Sequence, residues 1–288
     1  MKKVASYIKL MRPHHYIKNI LIFLPLVFSK NIFNGSLLIN VVIGAIAFSL
    51  MSSIVYILND ILDVEADKKH EKKKYRPIAS GAVSIRNAII LAIILFILSI
   101  LLNWYIKSNM VALCVFYGYL LMNILYSVKL KHVPIVDIVI LAFGFMLRVF
   151  YGSAITEIAI SDWLYITILA FSFYMGLGKR RNEFRKMGKD GREVLKYYNE
   201  TFLTSNLYMC MALGIVFYSL WCVDVNASAL GRINIIWTVP LVMIICMRYS
   251  LNIEGDSLGD PVDVILGDKL LIALAGIYSV VMFMALYL

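Results

Sequence analysis

The sequence predicts an all-α integral membrane protein of nine transmembrane helices, N-terminus in the cytoplasm and C-terminus outside. Three observations lead there. Of 288 residues, 61% are hydrophobic and only 16% charged, against about half and a quarter in an average soluble domain. Apolar runs of bilayer-crossing length, about 17 to 25 residues, recur along the whole chain. Finally, 24 of the 28 lysines and arginines fall in alternate connections, as basic residues do in cytoplasmic loops.

The runs lie near 16–33, 37–58, 86–105, 108–126, 135–154, 162–178, 204–223, 233–250 and 269–288. The first is interrupted at its start by Lys18 and Asn19 and has no small-residue cleavage site after it. It is therefore expected to remain as a span rather than act as a secretory signal. Ahead of it, Val4, Ile8 and Met11 share a helical face, which fits either a short interfacial helix or a basic topology anchor.

Without a Pro/Gly/Ser linker or an evident repeat, the chain reads as a single domain over 1–288, with cytoplasmic loops at 59–85, 178–203 and 249–268. The opposite loops hold only Lys30, Lys107 and Arg232, and Arg148 lies inside a span. The net charge of +10 thus follows membrane topology and does not indicate nucleic acid. Cys114, Cys210, Cys222 and Cys246 sit singly within spans, and His14, His15, His70 and His132 are scattered. Neither set has metal-ligand or disulfide spacing.

Chemistry is expected where charges of both signs collect. At the inner end of the second span the sequence runs Asn59-Asp60-Ile61-Leu62-Asp63-Val64-Glu65-Ala66-Asp67. On a helix continuing past the membrane, Asn59, Asp63, Asp67 and Asp60 point to roughly 0°, 40°, 80° and 100°, and Glu65 to roughly 240°. Carboxylates on one stripe repel unless a cation neutralises them. Hard oxygen ligands beside an amide suit Mg²⁺, which keeps room for waters and substrate phosphates. Asn59, Asp60, Asp63 and Asp67 are the candidate ligands. The plainer alternative is a solvated helix end, its acids paired with Lys68, Lys69 and the Lys72 to Lys74 run.

These residues, with Arg76-Pro77-Ile78-Ala79-Ser80-Gly81 after them, resemble the first aspartate-rich motif of the UbiA superfamily of intramembrane prenyltransferases. Within it the chain looks most like the decaprenyl-phosphate phosphoribosyltransferase branch. The matching segments are Met11-Arg12-Pro13 with Lys18-Asn19, Tyr126-Ser127 to Leu130-Lys131-His132, Asp137 to Gly144-Phe145 with Arg148, and Gly178-Lys179-Arg180 with Glu183. Arg248-Tyr249, Gly259-Asp260-Pro261, Asp263 and Asp268 add weaker matches.

The resemblance implies a helical bundle around a central cavity open to the cytoplasm. Ordinary members carry a second aspartate-rich motif near the sixth span. Here Gly178-Lys179-Arg180-Arg181-Asn182-Glu183 stands in its place, with Lys179, Arg180 and Glu183 inside about 100° of one another on a helix. An anion site has largely replaced a cation site. That suits phosphoribosyl diphosphate, which carries a separate 5-phosphate, and an anionic polyprenyl phosphate as acceptor.

The expected reaction transfers 5-phosphoribose to the lipid phosphate, releasing pyrophosphate, for cell-envelope glycolipid precursors at a bacterial inner membrane. Asp60, Asp63 and Asp67 are the expected catalytic residues, acting with Mg²⁺. Lys18, Arg76, Lys131, Lys179 and Arg180 are expected to bind phosphates. Asn19, Asn59, Tyr126, Asp137, Arg148 and Glu183 are expected to support the cavity. For Arg148 a pairing role is the alternative, for Asp137 a helix-dipole role, and for Lys18 a snorkelling one. Arg181, Arg185, Lys189, Arg192 and Lys196 are read as a basic loop near lipid headgroups. A homo-oligomer is left open.

Two rivals remain. A UbiA-type prenyltransferase acting on an aromatic or quinone precursor is opposed by the missing second motif. An ion-coupled transporter is opposed by acids crowding one membrane face, where transporters hold such groups near the midplane.

Overall fold

The computed structural model describes residues 2–71, 73–188, 192–227, 234–255 and 260–288. Lys72, Lys189, Arg232 and Gly259, all named above, lie outside the described residues. Every regular element among those described is helical.

In chain order, α1 (Lys2–Met11) leads into a 3-10 segment, Pro13–Phe23, then α2 (Leu24–Phe28), α3 (Gly35–Leu62) and α4 (Val64–Lys69). Next come α5 (Ile85–Tyr105), α6 (Met110–Val128), α7 (Val136–Thr156), α8 (Asp162–Met187) and α9 (Glu200–Ala227). The chain closes with α10 (Val239–Glu254), α11 (Pro261–Leu266) and α12 (Lys269–Tyr287). Side-chain caps set many starts: Asn34, Ser84, Asn109, Ser161 and Asp268 each accept a hydrogen bond from a first-turn N–H, replacing a partner the helix itself cannot supply.

Among the described residues seven helices are long and apolar enough to cross a membrane: Gly35–Leu62, Ile85–Tyr105, Met110–Val128, Val136–Thr156, Glu200–Val225, Ile235–Glu254 and Lys269–Tyr287. The chain is a multi-pass membrane protein. The runs expected at 16–33 and 162–178 fall elsewhere. The first becomes the 3-10 segment followed by the five-residue α2. The second forms the start of α8, whose second half is Lys179-Arg180-Arg181-Asn182-Glu183-Phe184-Arg185-Lys186, polar enough to leave it outside this group.

The described chain falls into two compact units, 1–130 with 147–158 and 131–146 with 159–288. In the first, a core of Phe48, Met51, Ile57, Phe116 and Tyr151 forms where α3 meets α5, α6 and the 3-10 segment. The 3-10 segment is eleven residues long, unusual for a form that rarely exceeds one turn. Its period of three puts Tyr16, Asn19 and Ile22 on one face. Tyr16 pairs with Ser53 at 2.7 Å, Asn19 donates to Ser49 at 2.7 Å, and Ile22 is fully buried. Period three on one helix thus meets period four on α3. Gly152 makes the adjacent approach possible, because an added Cβ would lie 2.0 Å from the Ile22 carbonyl oxygen.

The second unit is built on α8 lying along α9, with α10 beside both and α12 against α10. Tyr174, Leu177, Leu203, Leu207, Tyr249 and Ile253 fill its core. All four cysteines are free thiols.

Candidate active site

Two groups of charged side chains are the candidates for chemistry, one in each unit. In the first unit the helix breaks at Asp63 (φ −94°, ψ 7°), although the i to i−4 hydrogen bonds Asp63 N to Asn59 O and Asp67 N to Asp63 O continue at 2.9 and 2.8 Å. Asp60 and Asp67 are both buried. Arg76 spans them, its Nη1 donating to Asp60 Oδ1 at 3.1 Å and to Asp67 Oδ2 at 2.7 Å. Arg12 Nη2 donates to the same Asp60 Oδ1 at 2.5 Å, while its guanidinium covers the Tyr56 ring at 4.9 Å.

Arg76 reaches the acids because its loop is folded back on itself. Ser80 N bonds Arg76 O, Val83 N bonds Pro77 O, Ile78 and Val83 are buried, and Gly81 turns the chain at φ 75°, a conformation natural only to glycine. Glu65 points away from the group and pairs in solvent with Lys68.

The four side chains expected on one stripe do not close on a common point. Asn59 Oδ1 accepts from Ser127 Oγ, and Asp63 stands at the boundary between α3 and α4. Among the described residues no three His, Cys, Asp or Glu side chains are gathered to hold a metal ion by themselves. Asp60 Oδ2, however, is buried and accepts no hydrogen bond. A buried carboxylate oxygen without a partner is costly. It is also the hard, anionic donor that a magnesium ion takes, so the residues present fit such an ion.

Arg148 is almost fully buried in the same unit. Its Nε donates to Asn19 Oδ1 at 2.7 Å, its Nη2 reaches Tyr119 OH at 3.2 Å and Ser52 Oγ at 3.4 Å, and it faces the Phe48 and Tyr119 rings. Asn19 and Arg148, expected separately at the cavity, are one buried hydrogen-bonded set. Lys18 and Tyr126 are half-buried.

The second unit reverses the pattern. Arg180 is fully buried, its Nε on Asp137 Oδ2 and its Nη1 on Glu183 Oε2 at 2.6 Å. Asp137 Oδ1 accepts from Tyr198 OH at 2.6 Å, and that oxygen in turn accepts from the backbone N of Ile135. Ile135 stands at φ 68°, a strained conformation for a β-branched residue. Burial and the Asp137 hydrogen bond both raise the Tyr198 phenol above its ordinary range. Burial pulls Glu183 upward, but Arg180, Arg192 and Lys179 outweigh it and hold the carboxyl below its ordinary value.

Arg180 therefore has its Nε and Nη1 on Asp137 and Glu183, which would otherwise be buried charges. Lys179 is the more accessible neighbour, resting on Asp260 Oδ2 at 3.0 Å. Lys131 is half-buried in the short turn Leu130–His132. Arg181 and Arg185, expected near headgroups, pair with Glu254, with Thr204 and Glu200 as further partners. Sequence reasoning missed Arg12, Tyr198 and Asp260 as members of these groups. Their only signal was membership of short charged or Pro-flanked motifs, since each partner lies tens of residues away.

Comparisons agree with this architecture. A decaprenyl-phosphate phosphoribosyltransferase from Corynebacterium glutamicum is 33% identical over 284 residues, covering 96% of this chain and 85% of the relative. Its counterpart from Mycobacterium tuberculosis (strain CDC 1551) is 31% identical over 290 residues, covering 96% and 93%. Among solved structures, a UbiA homolog from Archaeoglobus fulgidus bound to DMAPP and Mg²⁺ superposes with a TM-score of 0.73 at 18% identity, covering 96% of this chain and 99% of that one. The profile of the UbiA prenyltransferase family matches residues 21–258, and the resemblance read from the motifs is borne out: the chain belongs to that family.

Proposed function

We propose that this enzyme transfers the 5-phosphoribosyl group of phosphoribosyl diphosphate to a membrane polyprenyl phosphate, releasing pyrophosphate. The observation that carries the choice is the roughly 30% identity to decaprenyl-phosphate phosphoribosyltransferases over nearly the full chain. The accessible Lys179, where prenyltransferases place a second acidic motif, supports it.

The residues act as follows. Asp60 and Asp67, with Asp63 at the helix break, are the residues that would hold a divalent cation for the donor diphosphate, and Asn59 braces the group through Ser127. Magnesium bound there would neutralise charge growing on the leaving pyrophosphate. Arg76 lies across the acids with its remaining N–H groups turned toward phosphate. Within the second unit Lys179 and Lys131 serve a phosphate, with Arg180 bracing that group through Asp137 and Glu183, and within the first unit Lys18 is a further phosphate contact. An ionised oxygen of the lipid phosphate attacks ribose C1, the C1–O bond to pyrophosphate breaks, and pyrophosphate leaves with the electron pair. The nucleophile is already ionised at neutral pH, so positioning and electrostatics supply the catalysis.

In this reading nine spans, including the 3-10 segment with α2 and the start of α8, put both charged groups at the cytoplasmic face of a bacterial inner membrane. The test supplies purified enzyme with Mg²⁺ and either labelled phosphoribosyl diphosphate plus polyprenyl phosphate or an isoprenyl diphosphate plus an aromatic acceptor. Label entering organic solvent from the first pair supports the proposal. Turnover of the second pair alone would replace it with an ordinary prenyltransferase.

A further inference from the structure

Arg12 has no part in the mechanism above, yet its surroundings are built with care. It links α1 to the 3-10 segment at φ 53°, ψ 58°, a left-handed conformation that any residue with a Cβ adopts at a cost. Both sides of the link are anchored. Leu10 is fully buried, the Met11 carbonyl accepts from Ser53 Oγ at 2.9 Å, and Pro13 fixes the next φ. The strained link aims the side chain: the guanidinium lies on Tyr56 at 4.9 Å and Nη2 meets Asp60 Oδ1 at 2.5 Å. Its side chain is still 20% exposed, whereas Asp60 is 2% exposed.

Asp60 thus has one oxygen shared by two guanidinium groups, Arg12 and Arg76, and one buried oxygen that accepts nothing. Two carboxylates as close as Asp60 and Asp67, both touching Arg76, need positive charge beside them. A divalent cation entering at Asp60 would repel the Arg12 guanidinium from that carboxylate. Its stack on Tyr56 keeps it within reach, and a diphosphate on the same cation presents the oxygens that a planar guanidinium binds best.

We infer that Arg12 is an exchange residue: it neutralises Asp60 before the cation arrives, competes with that cation for the carboxylate, and then turns to the diphosphate as a second guanidinium beside Arg76. The inference rests on the proposal that Asp60 and Asp67 hold a divalent cation. It predicts effects of opposite sign, since removing Arg12 strengthens cation binding and weakens diphosphate binding. A residue that only supported the fold would weaken both.

The experiment uses the full chain in detergent micelles, with no sugar donor present. Mn²⁺ binding is read from the electron paramagnetic resonance of the free ion, and pyrophosphate binding at saturating Mn²⁺ by calorimetry. For Arg12→Ala we expect Mn²⁺ to bind roughly three- to tenfold more tightly and pyrophosphate about tenfold more weakly. Arg12→Lys keeps the charge without the planar fork, so its Mn²⁺ affinity should stay near wild type while pyrophosphate weakens. It carries the test if the alanine variant does not give a monodisperse, cooperatively unfolding protein. Unchanged or weaker Mn²⁺ binding by Arg12→Ala, undiminished pyrophosphate binding by Arg12→Lys, or both constants weakening together would overturn the inference. Absence of Mn²⁺ binding by the wild type would instead overturn the reading of the acids.

Discussion

The two charged groups use the same residue types in opposite ways. In the first unit the carboxylates of Asp60 and Asp67 are buried and the arginines over them are 20% and 27% exposed. In the second unit Arg180 and its partner Asp137 are both buried, its second acid Glu183 keeps 14% exposure, and Lys179 stands at 21% beside them. The difference shows which groups are spare. A fully buried guanidinium held by acids is part of the scaffold, whereas one that keeps some exposure can reach an anion. On the proposed function, Arg12, Arg76 and Lys179 would then serve the ligand and Arg180 the fold.

The comparison breaks most readily at the acids. Asp60→Asn and Asp67→Asn should each lower label transfer by about 10²- to 10³-fold while leaving the protein folded, as read by activity beside thermal unfolding in detergent. Next come the two neighbours on α8. Arg180→Ala leaves Asp137 as a buried, unpaired charge and should cost about 3 to 5 kcal/mol of stability. Lys179→Ala should instead raise the KM for the sugar donor about tenfold and leave the melting temperature nearly unchanged. Equal melting temperatures for the two variants would erase the distinction drawn here.

A packing test comes third. Gly152→Ala drives a methyl group into the Ile22 carbonyl, and overpacking of this kind costs about 1 to 3 kcal/mol, visible as a lower melting temperature. The smallest effect concerns pH. The Glu183 carboxyl is held below its ordinary value by Arg180, Arg192 and Lys179 against its burial. Its contribution to stability is therefore complete above the ordinary glutamate range and lost as pH falls through the lowered value. The melting temperature should hold steady down to about pH 5 and then decline, and Glu183→Gln should shrink that decline.

Much of this was legible in the sequence, and the limits have physical causes. Hydropathy marked every apolar run, because burial in lipid is a property of composition. It did not mark the 3-10 segment, since Tyr16, Asn19 and Ile22 become a face only through period-three pairing with Ser49 and Ser53. The helical wheel brought Asn59, Asp60, Asp63 and Asp67 to one stripe. It was silent on Ser127, which bonds Asn59, and on Arg12 and Arg76, which reach Asp60 and Asp67 from other segments. Likewise Lys179 and Arg180 looked equivalent on one helix, and only Asp137, 43 residues earlier, separates them. Local spacing reveals which charges are neighbours on an element, and partners distant in sequence decide which remain available.

The most direct test of the account is the position of the metal. Crystals of the enzyme grown with Mn²⁺ and a non-reacting phosphoribosyl diphosphate analogue should show an anomalous peak about 2.1 Å from Asp60 Oδ2, with Arg180 still closed on Asp137. A peak at Asp260 or Glu183 with none at Asp60 would contradict it.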